Sequence, residues 1–250
     1  MGIIGGKLGY RILKWLSPNG DNSSMDGSAY LNESKLSVLL GDNVLDELVD
    51  KTVIDFGCGE GAEAIEIAQH GASKVIGLDI QENLLSVARQ RANKQDIRDR
   101  CSFAVATDQK ADVITAIDSF EHFEDPSSIL KIMARLVKPT GYVLASFGPT
   151  WYHPVGGHLF SPFPWAHLIF TEKALIRWRE DFKNDGAKTF QEVAGGLNKM
   201  TISRFERIVE ESQFRFEQFQ AVPIRGLRAF SNNCTREFST AIVRCRMVLR

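Results

Sequence analysis

The sequence predicts an α/β domain built on a doubly wound, mostly parallel sheet and interrupted by one long insertion. Three observations predict it. From Thr52 to Phe147, apolar runs of five to seven residues alternate with helical patterns, the rhythm of βαβ units. The first run ends in a glycine-rich turn, Gly57, Gly59 and Gly61. Between Gly148 and Met200 the alternation stops, in a stretch holding four prolines, paired glycines (Gly156–Gly157, Gly195–Gly196) and three of the four tryptophans.

Taken in order, the chain opens on a basic amphipathic segment, Gly6–Leu16, with Leu8, Ile12, Leu13 and Leu16 compatible with one helical face. It reads as a helix docked on the domain in preference to a membrane-surface anchor. Ser17–Gly27 has the Pro, Gly, Asn and Ser content of a linker. Strands are then expected over Thr52–Phe56, Lys74–Ile80, Cys101–Ala106, Asp112–Ile117 and Tyr142–Phe147. Helices are expected over Ala62–His70, Glu82–Asn93 and the proline-started Pro126–Leu136. The insertion contains a helical stretch, Glu172–Phe182. After it come a helix over Thr201–Ser212, with Thr201 as N-cap, and two strand-like runs, Arg215–Ile224 and Ser239–Leu249. The loop between those runs is too long for a tight hairpin. The expected organisation is an N-terminal region of helices and linker (1–50) and one domain (51–250), with residues 149–200 as an insert.

Composition narrows the function classes. Among 250 residues, 44% are hydrophobic and 24% charged, and thirty Lys+Arg against thirty-one Asp+Glu leave a net charge of −1, which offers no footprint for nucleic acid. No apolar run approaches a membrane span, and Lys7, Arg11 and Lys14 interrupt the start where a secretory core would lie. Cys58, Cys101, Cys234 and Cys245 lack CxxC spacing, which argues against a zinc ribbon or a disulfide scaffold and fits a reducing cytoplasm.

The densest chemistry is Val53-Ile54-Asp55-Phe56-Gly57-Cys58-Gly59-Glu60-Gly61 followed by a helix. Glycines at such a turn let backbone amides approach a ligand, and the helix N-terminus adds a positive dipole. Asp79 closes the second run, where a carboxylate can accept both hydroxyls of an adenosine ribose. The GxGxG spacing differs from the GxGxxG of dinucleotide sites. Asp55, two positions before Gly57, repels a pyrophosphate but suits a cationic amino group. These residues favour S-adenosylmethionine, which carries an ammonium, a sulfonium and a ribose and no phosphate.

With those motifs in view, the chain resembles the class I S-adenosylmethionine-dependent methyltransferases, particularly the small-molecule group. The resemblance rests on specific motifs over about residues 50–148 and on pattern alone over 201–250. It implies a Rossmann-like sheet of seven strands whose antiparallel last strand is Ser239–Leu249. It places the glycine turn, with Cys58 beside it, around the methionine part of the cofactor, Asp79 on the ribose and Ile80 against the adenine. Asp112–Pro126 (DVITAIDSFEHFEDP) resembles the family's fourth-strand segment, so Asp118, Ser119, Glu121 and His122 are expected at the mouth of the active site. The family's third-strand acid maps to Asp108, with Thr107 as a substitute. The loop there is short, since only Gln109, Lys110 and Ala111 precede Asp112.

Methyl transfer is an in-line displacement, so bringing the nucleophile to the methyl is the enzyme's main work. A hydroxyl acceptor also needs a base, and His122 is the candidate, with His158 and His153 from the insert. The insert reads as an aromatic, mobile substrate lid, with a rigid packing layer or an oligomer interface as the alternative. No HxH, HxxxH or carboxylate cluster accompanies its histidines, so no metal is expected. The expected acceptor is a small or medium-sized molecule methylated on oxygen. Transfer to nitrogen or carbon, and a non-catalytic cofactor-binding partner, are the alternatives. Arg225, Arg228 and Arg236 leave room for an anionic or lipid-like acceptor; a peripheral membrane contact is not favoured, and a homo-oligomer is compatible.

Overall fold

The computed structural model describes residues 2–20, 34–183, 185–193 and 196–250; of the expected linker Ser17–Gly27 only 17–20 fall within them, and Gly195 falls outside. Seven strands, β1 (Thr52–Phe56), β2 (Lys74–Leu78), β3 (Cys101–Ala104), β4 (Ala111–Ile117), β5 (Val137–Phe147), β6 (Phe214–Pro223) and β7 (Thr240–Leu249), form one sheet in the order β3-β2-β1-β4-β5-β7-β6. β1 to β5 pair in parallel, and β7 lies antiparallel between β5 and β6. The chain winds outward from β1 to β3 and then returns to place β4 on the other flank of β1. That reversal opens a crevice at the carboxyl ends of β1 and β4, the place where open α/β sheets hold ligands.

Helices cover both faces: α1 (Gly6–Leu16), α2 (Lys35–Leu40), α3 (Val44–Glu47), α4 (Ala62–Gln69), α5 (Glu82–Lys94), α6 (Pro126–Leu136), α7 (Ala166–Ile169), α8 (Glu172–Arg179), α9 (Ile202–Glu210) and α10 (Arg236–Ser239). The central strands feed two cores in turn. Val53, Val75 and Val113 pack with α2 to α5, and their neighbours Ile54, Ile76 and Ile114 pack with α6 and α9. Burial on both faces explains why these strands read as continuous apolar runs. Caps set the helix starts where the sequence marks them: Asp125 accepts the amides of Ser127 and Ser128, and Thr201 accepts that of Arg204.

The strands depart from the expected limits by one or two residues at β2, β3, β4, β6 and β7 and by five at β5. β2 stops at Leu78 because Asp79 turns the chain, its Oδ1 accepting the Gln81 amide at 2.9 Å. β5 starts at Val137, which pairs with Ala111 ahead of a register shift. β6 and β7 pair directly although joined by residues 224–239, which hold a short 3-10 helix (Arg225–Phe230) and α10.

The insertion is not an open flap. Trp151, Phe160, Phe170, Leu175, Trp178, Phe190 and Leu197 form a third hydrophobic core, joined by Leu13 of α1. Gly9 lets α1 close on α8, since a Cβ there would stand 3.2 Å from that of Ala174. The Ile3 and Ile4 amides both donate to the Ile169 carbonyl, and Trp178 donates its indole N–H to the Ser17 carbonyl. The expected boundary at residue 50 therefore does not follow the packing: α1 shares a core with the insert, and α2 and α3 share one with the sheet. The segment expected as a lid packs on this third core, as a roof over the sheet's carboxyl end. Trp178→Ala should cost about 3–5 kcal/mol in chemical denaturation, as for other buried aromatics, with slow hydrogen exchange over residues 149–170. A cost below about 1 kcal/mol would restore the lid.

Candidate active site

The crevice is lined first by the turn after β1. Gly59 has φ +52°, and a Cβ built there meets no heavy atom within 4 Å, so the turn presents bare backbone to open space. Gly61 serves packing instead: at φ +78° its Cβ would stand 2.6 Å from the Phe103 ring. Asp79 ties this turn to the end of β2, its Oδ2 accepting the Gly59 amide at 3.0 Å.

Carboxylates gather around the turn. Asp55 is buried; its Oδ1 accepts the Thr115 hydroxyl at 2.9 Å and its Oδ2 has no partner among the described residues. Burial, reinforced by Glu63, pushes the Asp55 carboxyl up to about 7. Asp118 follows β4 directly, at φ +47°, and Glu63 sits in the first turn of α4. Lys35 bridges them, its Nζ 2.9 Å from Asp118 and 3.2 Å from Glu63. Burial opposes the Lys35 charge, but the two acids more than offset it and hold the ammonium above its ordinary range. Burial likewise raises Asp118, with Lys35 acting against the rise. Lys35 is placed by α2, whose N-cap Ser34 accepts the Ser37 amide.

The mouth beyond β4 meets the insert. Asn198 holds the Phe120–Phe123 turn, donating from Nδ2 to the carbonyls of Phe120 (2.6 Å) and Phe123 (2.8 Å) and from its backbone amide to Glu121. His122 donates from Nδ1 to the Gly196 carbonyl at 2.6 Å. A carbonyl only accepts, so Nδ1 carries the proton, and in the neutral ring Nε2 is left as an acceptor. The His158 ring stands edge-on to it at 5.5 Å, and burial together with His122 pushes His158 down to about 4. Glu121 is fully buried, its Oε1 accepting the Gly148 amide at 3.2 Å and its Oε2 unpartnered among the described residues. Burial and then Asp118 push it up to about 8.

The expected site residues separate into two groups. Asp55, Gly57, Gly59, Asp79, Asp118 and His122 converge on the crevice, Gly61 serves packing beneath it, and Ile80 stands 87% exposed at its edge, apolar and uncovered. Asp108 and Thr107 lie on the exposed loop after β3, with the Thr107 hydroxyl taken by the Gln109 amide. Three expectations are corrected. The Cys58 side chain is buried in the core beneath the turn, where burial pushes its thiol up, so at most its backbone faces a ligand. The Ser119 hydroxyl donates to the carbonyls of Ile117 and Phe56 and wedges against Gly57, where a Cβ would stand 2.7 Å away, so it braces the turn. His153 accepts the Val155 amide on Nδ1 at 3.1 Å and serves its own turn. The residues the sequence reading passed over are Lys35, Glu63, Thr115 and Asn198. Thr115 alone carried a signal, as a polar residue in the middle of an apolar strand.

The residues fit S-adenosylmethionine. The orphaned Asp55 Oδ2 and the open cradle at Gly59 offer an acceptor and room, and the surrounding acids favour a cation. The same acids disfavour the pyrophosphate of a dinucleotide. Among the described residues no metal-holding cluster occurs.

Glu121 ties this site to stability. Its carboxyl ionises near 4.3 in an unfolded chain and near 8 in the fold, so its contribution is full below pH 4.3 and is lost as pH rises to about 8. The unfolding free energy should fall by on the order of 1–4 kcal/mol between pH 5 and pH 9, and Glu121→Gln should flatten much of that slope. An unchanged slope in the variant would show that Glu121 ionises normally.

Comparison with known proteins agrees with this geometry. The methyltransferase domain family matches residues 29–218. A ubiquinone biosynthesis O-methyltransferase of Nitrosomonas europaea is 35% identical over 138 residues, 53% of this chain and 56% of that protein. One from Serratia proteamaculans is 42% identical over 105 residues, 40% of this chain and 43% of that protein. The chain thus spans about half the length of the curated relatives it matches. The crystal structure of an S-adenosylmethionine-dependent methyltransferase from Aquifex aeolicus shares the fold, with a TM-score of 0.51 at 16% identity over 86% of this chain and 93% of that one. Since the family match runs from ahead of α2 to the middle of β6 and takes in the whole carboxylate-lined crevice, the chain belongs to the class I S-adenosylmethionine-dependent methyltransferases.

Proposed function

We propose that this chain transfers a methyl group from S-adenosylmethionine to an oxygen of a small acceptor in the cytoplasm. The observation that carries the choice of oxygen is the tautomer of His122. Its Nδ1 proton is committed to Gly196, which leaves Nε2 as a proton acceptor at the mouth of the crevice. A hydroxyl is a poor nucleophile until it loses its proton, so a base is useful there. The names of the relatives from Nitrosomonas and Serratia support the same reading. The four cysteines are free, as suits a reducing compartment.

When bound, the cofactor supplies an electrophilic methyl on a sulfonium. The chain's own groups divide the remaining work. Asp79, already set by the Gly59 and Gln81 amides, would hold the ribose, and Asp55 would meet the ammonium. Ile80 would cover the adenine, with Asp108 or Thr107 at its far edge. The packed roof keeps water from the mouth, where His122 takes the acceptor's proton. His158, held neutral beside it, is an uncharged wall that keeps the His122 ring in place.

Two measurements test this reading. Calorimetry with S-adenosylhomocysteine should show binding that weakens as pH falls through about 7, where Asp55 becomes neutral. Asp55→Asn should bind more weakly and without that dependence; equal affinity at pH 6 and pH 8 for the wild type would remove Asp55 from the ammonium. In turnover, His122→Ala should lose about 10²–10⁴-fold with its affinity for S-adenosylhomocysteine unchanged, and His153→Ala should stay near the wild type. Full activity in His122→Ala would exclude it as the base.

A further inference from the structure

α1 has two faces, and docking on α8 uses one of them. Gly9 and Leu13 are buried. On the opposite face Leu8 is 66% exposed and Trp15 is 80% exposed, two turns apart and therefore side by side along the axis. Just before the helix Ile3 is 96% exposed, hydrogen-bonded through its amide to Ile169, itself a partly exposed apolar residue of α7. Helical spacing sets Lys7, Arg11 and Lys14 along one flank of the Leu8–Trp15 stripe. α8 widens that flank: the Arg177 guanidinium lies over the Tyr10 ring at 4.5 Å, and Lys173 is one turn away on the same helix. The acid facing this cluster is Asp181, which holds Lys14 at 2.9 Å and accepts the Tyr10 hydroxyl. Residues 2–16 contain no acid.

We propose that the outer face of α1 docks on the surface of an anionic lipid bilayer. Trp15, Leu8 and Ile3 enter the interfacial layer, and Lys7, Arg11 and Arg177 meet the headgroup phosphates. Charge complementarity selects this occupant. The apolar stripe is one side chain wide, and of the cations along its flank Lys7 and Arg11 form no ion pair among the described residues, as an interfacial helix requires. A protein groove would instead receive a broad apolar face with a mixed polar rim. Indole at the boundary between apolar and charged surroundings suits tryptophan's apolar body and polar N–H. Eleven residues cannot cross a bilayer, and among the described residues no helix is long and apolar enough to do so, so the contact is peripheral.

The test uses the full chain with vesicles of phosphatidylcholine alone and with about a third of phosphatidylglycerol added. The chain should sediment with the anionic vesicles at low salt, and raised salt should release it. Tryptophan emission should shift to the blue on binding and most of the shift should be lost in Trp15→Phe, because Trp151 and Trp178 are already buried and Trp165, 37% exposed, keeps its indole N–H on the Tyr152 carbonyl. Lys7→Glu with Arg11→Glu should weaken binding by roughly tenfold or more, with circular dichroism and S-adenosylhomocysteine binding unchanged. Absence of binding to anionic vesicles, or equal binding by the charge-reversed variant, overturns the proposal. So does a wild-type dimer in gel filtration that Trp15→Ala turns into a monomer, because the face then belongs to a second copy.

Discussion

Four carboxylates at the carboxyl ends of β1, β2 and β4 and at the start of α4 share one crevice, and the surrounding structure has to make that crowding tolerable. Asp55, Glu63, Asp79 and Asp118 face each other with one ammonium, Lys35, among them. Asp79 is quieted by two backbone amides and Asp118 by the lysine, whereas Asp55 receives only the Thr115 hydroxyl. A buried acid with so few donors is stable mainly as the neutral form. In the free protein its ionisation is therefore costly, and a bound cation would offset that cost, which favours a positively charged ligand before shape is considered.

The same crowding explains the outer helices. α2 reaches the crevice only through Lys35, and the Ser34 cap fixes where that side chain begins. Without Lys35, Asp118 and Glu63 would repel one another across the mouth. A short, unremarkable segment ahead of the first strand thereby becomes part of the site, although its own packing is ordinary. The roof contributes in a different way. Asn198 and Gly196 reach down from the insert to hold the Phe120–Phe123 turn and the His122 ring, so the orientation of the candidate base depends on a layer distant in sequence.

Much of the sheet was legible because its signals are local. The β1 run, the glycine turn and the proline-started α6 each announce themselves within a dozen residues, and α6 was read to its last residue. Asp55 and Asp79 were legible for the same reason, since the spacing between two adjacent βαβ elements fixes both. Lys35 and Asn198 carry no such mark. Their roles arise from contacts across 83 and 78 positions of chain, where periodicity says nothing. Cys58 and Ser119 misled because a turn sends alternate side chains to opposite sides; their neighbours in sequence face the crevice while they brace it from below. The insert's packing was not legible from composition: proline and glycine suggest a mobile lid, and its tryptophans and phenylalanines close a core of their own.

The histidines near the roof, one buried and three half-buried, show how position decides the chemistry of one side-chain type. His167 donates from Nε2 to the Trp151 carbonyl and accepts from the Ser161 hydroxyl on Nδ1, and burial pushes it down to about 4. Both nitrogens are spent, so it can neither take nor give a proton without breaking the roof. His153 spends one nitrogen on its own turn. His158 keeps Nε2 unpartnered among the described residues, but with its ionisation near 4 it is a weak base at neutral pH. His122 has one nitrogen fixed by the Gly196 carbonyl and a second left to accept, on the turn that follows β4. Its neighbour Glu121 is neutral below about 8, so the acid whose charge meets His122 is Asp118, itself shared with Lys35.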